Sequence, residues 1–183
     1  AQGSPLGEGS FGVQSLIGVL EQIFVHGLNA TQFGVFRQCV WWQYVDSVPE
    51  LSSFLKSATT PFDGAVGSFR KLERSVGSIR AAPTPKTDSG RGRAFLRLAL
   101  QQGQLSPFVQ LLVVDPALLK LWYGEDALLR SEDGVCAVAA LLSSLQALDF
   151  AGLQPFSALL DRENPFATPL SEYAGNPKLA PSP

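Results

Sequence analysis

Thr87-Asp88-Ser89-Gly90-Arg91-Gly92-Arg93-Ala94-Phe95-Leu96-Arg97-Leu98-Ala99-Leu100 decides the fold of this 183-residue chain. At about 100° per residue, Ala94, Phe95, Leu96, Leu98, Ala99 and Leu100 wrap more than half the circumference of a helix. Only Arg93, Arg97 and Gln101 are left as a polar stripe. A helix so widely apolar belongs at the centre of a bundle. The pattern predicts a helix over 89–102, with a narrow basic strip turned to solvent or to a partner. Arg91 falls in phase with the apolar side, so it is expected to hold a carboxylate in a structural ion pair, because an unpaired buried guanidinium is too costly.

Helical spacing continues outward on both sides. Val13, Leu16, Ile17, Leu20, Ile23 and Phe24 recur every three or four residues, and Gly27 offers a stop. Phe33 to Tyr44 is apolar almost all round, so it too is placed deeply. Asp46 or Ser47 with Pro49 reads as the start of a short third helix facing inward through Leu51, Phe54 and Leu55. From Pro61 a longer segment sets Val66, Phe69, Leu72, Val76 and Ile79 on one side, with Arg70, Lys71 and Arg74 off it. Ala81 to Lys86, with Pro83 and Pro85, reads as an extended linker. Ser106-Pro107 and Asp115-Pro116 pair a capping side chain with proline at the next position, and Ser131 can cap a last long helix through Leu148. The expected fold is all-α, a single globular bundle of about eight helices. Residues 1–10 are expected to be a flexible leader, 11–160 the helical domain, and 161–183 a proline-rich linker or tail into which 153–160 does not fall, packing back on the body instead.

Composition narrows the function classes. Hydrophobic residues at 45% and charged ones at 16% give a chain of this length enough apolar surface for one core. No apolar run approaches the roughly 18–20 residues that a membrane span needs. With no basic, apolar leader at the N-terminus, the expected location is cytoplasmic, and a chain that starts at Ala1 without any Met reads as a fragment. Cys39 and Cys136 sit in apolar helical patterns and are expected to be buried thiols; a single His cannot complete a zinc site with them. No metal and no cofactor are expected. Gly7-Glu8-Gly9-Ser10-Phe11-Gly12-Val13 spells a kinase glycine loop, but that loop needs a strand on each side and a lysine on a third. Here a helix follows. His26, at the end of the first helix, is expected to cap or pack rather than to catalyse. The tryptophans Trp41, Trp42 and Trp122 are expected in the core. Nothing in the pattern nominates a catalytic residue, a small-molecule substrate or a nucleic-acid reading motif.

Charge is unevenly placed. Residues 70–97 hold eight cations against Glu73 and Asp88, a net +6, while the chain as a whole is −2. Such a segment attracts an acidic partner.

The block from Thr87 to Leu100 resembles the central motif of RUN domains, with Phe95 where that family usually has Trp. Leu20 to Leu28 is similar to the opening helix of the family, which ends in a His-Gly-Leu-like step, and Leu118 to Tyr123 and Ala127 to Arg130 resemble its later helices. The resemblance runs from about 13 to 155, with 57–85 matching poorly. The proline-rich tail is similar to the subclass that joins a RUN domain to a distant SH3 domain. The resemblance implies a non-catalytic adaptor module in the cytoplasm, peripheral on vesicles or the cytoskeleton. It also implies protein partners: small GTPases of the Rap or Rab type, signalling proteins or motors. The residues themselves add a partner-binding patch of Lys71, Arg74, Arg93 and Arg97. An anionic membrane surface, where each basic residue contributes about 1 kcal/mol, or a second copy of the chain are the alternative partners.

Overall fold

The computed structural model describes residues 11–29, 41–51 and 65–162. Seven α-helices lie among them: α1 (Phe11–Val25), α2 (Trp41–Leu51), α3 (Ala65–Ala81), α4 (Asp88–Gln101), α5 (Leu105–Leu112), α6 (Pro116–Trp122) and α7 (Glu132–Ser144). Short 3-10 turns follow at Leu128–Arg130, Leu145–Ala147 and Ala158–Asp161. No strand forms among the described residues, where a single isolated bridge joins Leu28 to Tyr123. The all-α expectation holds.

Helix α4 is the axis. It packs against α1, α2, α3 and α5, and the segment 150–162 lies along it as a strap. Ala94, Phe95, Leu96 and Ala99 are wholly buried. Aromatic rings converge on Phe95: Phe108 stacks on it with centroids 5.8 Å apart, and Trp41 and Trp42 approach at 6.4 and 6.2 Å. Trp41 in turn stacks on Phe24 of α1 at 4.7 Å. Each such pair adds about 0.5–1.5 kcal/mol beyond area burial, so this chain of rings ties four helices together. A second group holds the other end. Tyr123 meets Tyr44 edge-on at 5.2 Å, and its hydroxyl donates to the Phe24 carbonyl at 2.8 Å. The Tyr44 hydroxyl donates to the Leu112 carbonyl. Burial raises both phenols above their ordinary range, so they stay protonated donors.

Glycine explains why α4 can be approached so closely. A Cβ on Gly92 would sit 2.5 Å from Trp41 Cζ2, and one on Gly90 would sit 2.7 Å from Pro85 Cβ and 2.9 Å from Thr87 Oγ1. The alternation Gly-Arg-Gly-Arg therefore lets the Trp41 ring lie against one side of the first turn while Asp161 of the strap lies against the other.

Several start and stop signals do what their chemistry dictates. Asp115 accepts from the N–H groups of Ala117 and Leu118, with Pro116 behind it; Ser131 accepts from Gly134 N–H; Gly27 ends α1 at φ +70°. The cap of α4 is Thr87, which accepts from Gly90 N–H. Others differ from expectation. Helix α2 runs through Asp46 and Ser47 with Pro49 inside it, so no third helix starts there. Ser47 Oγ donates back to the Tyr44 carbonyl instead of capping. Helix α5 begins at Leu105, before Ser106, which is buried within the first turn. Cys136 is exposed, contrary to the buried thiol expected of it, because α7 buries only Gly134, Val138 and Leu142. Cys39, Phe33 to Val40, Phe54 and Leu55 lie outside the described residues, as do 1–10 and 163–183.

Candidate functional site

The five arginines and lysines nominated from the sequence separate into two groups. Arg93 is internal. Its Nε donates to Glu21 Oε1 of α1 at 2.8 Å, with the two side chains 11% and 7% exposed. Its Nη1 donates to the carbonyls of Leu160 and Arg162 in the strap. Arg97, one turn on, is only 2% exposed, with Nη1 reaching the Arg93 carbonyl at 3.5 Å. Of the strip expected to face solvent, Arg93 is thus covered by α1 and the strap, Arg97 is buried, and Gln101 stays exposed. Helical phase was right about the shared face and wrong about what lies over it.

Arg91 is the converse. It does hold a carboxylate, but one on its own helix: Nη1 lies 3.5 Å from Asp88 Oδ1, and both side chains are 34% exposed. Asp88 is also held by the Gln43 amide at 2.8 Å, which links α4 to α2. The buried ion pair expected at Arg91 is made by Arg93. The physical reason is that α4 is enclosed on nearly every side, so its polar residues must find partners wherever they point.

Lys71 and Arg74 stand where the sequence placed them, exposed on α3 and opposite Leu72, Ser75, Val76 and Ile79, which are buried. Arg74 Nε donates to the Arg70 carbonyl at 3.2 Å, which fixes the stem of the guanidinium along the helix. The two cations line a groove of about 450 Å³ together with Ser75, Ser78, Leu98, Gln102, Gln104 and Phe156. Ser75 and Gln102 bond across its base at 3.3 Å. Among the described residues no carboxylate lines it. Sequence reasoning missed Phe156, an exposed ring (43%) that the strap brings to the groove from far along the chain. Only the return of 153–160 to the body could have hinted at it.

The strap is fixed at defined points. Asp161 accepts from the N–H groups of Lys86 and Thr87, at 3.0 and 2.8 Å, and from the Thr87 hydroxyl at 2.7 Å. What burial it has pushes its carboxyl up, but the Lys86 and Thr87 donors outweigh that and hold it below its ordinary range. The Thr84 hydroxyl donates to the Phe156 carbonyl at 2.9 Å. Phe156 is therefore held at the edge of the groove by the linker before α4.

Another cation of the band, Arg80, is taken by α2: it reaches Asp46 at 2.5 Å and Glu50 at 2.6 Å. His26 is structural, with Nδ1 accepting from Leu128 N–H at 3.1 Å. Among the described residues no three His, Cys, Asp or Glu side chains gather as a metal site, and no single helix is long and apolar enough to cross a membrane.

Comparison with known proteins agrees with this architecture. Protein RUFY3 of Homo sapiens is 30% identical over 137 residues, which is 75% of this chain and 25% of that protein. RUN and FYVE domain-containing protein 1 of Homo sapiens is 40% identical over 72 residues, 39% of this chain and 10% of the relative. RUN and FYVE domain-containing protein 4 of Mus musculus is 51% identical over 39 residues, 21% of this chain and 7% of the relative. The chain thus spans about a quarter or less of the curated relatives it matches. The last two names pair the RUN domain with FYVE, whereas the proline-rich tail resembles that of the subclass joined to SH3. The profile of the RUN domain matches residues 15–153, most of the chain and all of α1 to α7 but the first turn, and the chain belongs to the RUN domain family.

Proposed function

We propose that this chain is a non-catalytic protein-interaction module of a signalling or trafficking adaptor, and that it docks small GTPases of the Rap or Rab type through the outer face of α3. The observation that carries the reading is the placement of Lys71 and Arg74. Both are exposed on a helix whose other side is locked into the core, beside a groove in which no described residue is a carboxylate. Cations anchored in this way present a fixed positive surface, which speeds and orients encounter with an acidic one. Arg93 supports that surface from within by holding the strap and α1 in place; neither it nor the buried Arg97 is part of it. The chemistry of a RUN module is then recognition alone, and its site residues are Lys71 and Arg74.

The test is binding of Rap and Rab proteins, loaded with GTP or GDP analogues, to wild type and to Lys71→Glu/Arg74→Glu. Surface pairs are worth up to about 1 kcal/mol each, so reversing two charges should weaken the productive complex by about tenfold or more. The melting temperature should stay near wild type, since such changes usually cost less than about 0.5 kcal/mol. Equal binding by wild type and variant would remove this face from the reading; no binding to any GTPase would remove the partner class.

A further inference from the structure

Resting on that reading, we infer that the groove between α3, the end of α4 and Phe156 takes a short acidic segment of the protein partner, one that carries a single large apolar side chain between its carboxylates. The groove offers two kinds of surface at once. Lys71 and Arg74 supply two cations, with no carboxylate among the described lining residues. Leu98, half-buried, and Phe156, exposed, supply apolar surface beside the polar base formed by Ser75 and Gln102. Ser78 and Gln104 add polar groups at the rim, and Gln104 Nε2 already bonds the Gly103 carbonyl at 3.3 Å. A volume of about 450 Å³ accommodates one or two large side chains rather than a whole domain.

The shape selects among acidic surfaces. A bilayer is broad and laterally averaged, and it is met best by cations projecting from a convex face. Here the cations line a recess that also presents Leu98 and Phe156, which suits a chain that can place a Leu or Phe against them and carboxylates beside it. Arg74 favours carboxylates further, because its fork can donate to two oxygens and its stem is held by the Arg70 carbonyl. The Phe156 edge is a fixed wall, since its carbonyl is tied to Thr84 and its segment to Thr87 through Asp161. A wall already in place spares the partner the cost of ordering it.

The experiment is fluorescence anisotropy with a labelled peptide of Asp and Glu around one central Leu. Its Leu→Ala counterpart, and vesicles of phosphatidylserine in phosphatidylcholine, run beside it. Wild type should bind the Leu peptide, and the Ala peptide should bind about tenfold more weakly. Lys71→Glu/Arg74→Glu should abolish binding of both peptides, and Phe156→Ala should erase the difference between them at an unchanged melting temperature. Salt should weaken the charge component, since exposed pairs are screened over about 8–10 Å at physiological strength. Peptides that bind equally with Leu or Ala would overturn the inference, as would vesicle binding that needs Lys71 and Arg74 while neither peptide binds. GTPase binding that is lost in Lys71→Glu/Arg74→Glu but kept in Phe156→Ala would overturn the inference and leave the docking face standing. Peptide binding without any GTPase binding would do the reverse.

Discussion

Arg93→Ala is expected to be the most damaging change to any cation in this chain. The guanidinium lies 2.8 Å from Glu21 Oε1, with side-chain exposures of 11% and 7%, so water and salt screen the pair little. Removing it leaves Glu21 buried on α1 without its cation, a loss of about 3–5 kcal/mol. The carbonyls of Leu160 and Arg162 also lose a donor, but the strap can turn them to water, so they add less than about 1 kcal/mol each. For a domain of this length about 2–4 °C accompanies each kcal/mol, so the melting temperature should fall by roughly 6–20 °C. Differential scanning calorimetry, with far-UV circular dichroism to confirm the native helix content beforehand, measures it. The companion variant Glu21→Leu/Arg93→Met removes both charges and should recover most of the loss, because an apolar pair of similar volume replaces a buried ion pair with little penalty. Arg91→Ala should cost only about 0.3–0.5 kcal/mol, as its pair is an exposed i,i+3 contact. An Arg93→Ala melting point within about 2 °C of wild type would refute the reasoning, since it leaves no room for even 1 kcal/mol.

Two further outcomes follow from the same geometry. Gly92→Ala places a methyl 2.5 Å from Trp41 Cζ2, in a ring stack backed by Phe24, and should destabilise by about 1–3 kcal/mol; a neutral effect in urea titration would mean that Trp41 can shift without cost. Asp161→Asn should loosen the strap, seen as faster amide exchange over 150–162 at neutral pH. The carboxyl is held below its ordinary value of 3.8, so its stabilisation is present above about pH 4 and is lost as pH falls through the folded value. The difference in melting temperature between wild type and Asp161→Asn should therefore shrink from pH 5 to pH 3. A difference constant over that range would show that the Asp161 charge does not hold the strap.

Most of the helices could be read from the chain because their apolar spacing and caps are local. Asp115 before Pro116, Ser131 before α7 and Gly27 after α1 each act within a few residues, and each is where the sequence puts it. Failures came where local chemistry had a competitor. Ser47 and Pro49 spell a helix start, yet Tyr44, Val45 and Val48 are buried on a continuous α2, and packing overrides the signal. Ser106-Pro107 spells another, but Leu105 buries against the core and the helix starts two residues earlier, with Gln104 at the cap position.

The basic band shows the deeper limit. Periodicity says which residues share a face; it does not say whether water or protein lies against that face. For Lys71 and Arg74 the answer was accessible, since α3 buries Leu72, Ser75, Val76 and Ile79 and leaves both cations exposed. For Arg93 it depended on residues 150–162, some sixty positions away and nearly without periodicity. The same Gly-Arg-Gly-Arg block that admits Trp41 and the strap against α4 also carries the arginine that anchors the strap. That coupling bears on function. The strap held by Arg93 and Asp161 brings Phe156 to the groove, so buried charge shapes the exposed site without belonging to it. A variant at Arg93 that weakens partner binding is therefore to be read first through its melting curve, and only binding lost at full stability speaks for direct contact.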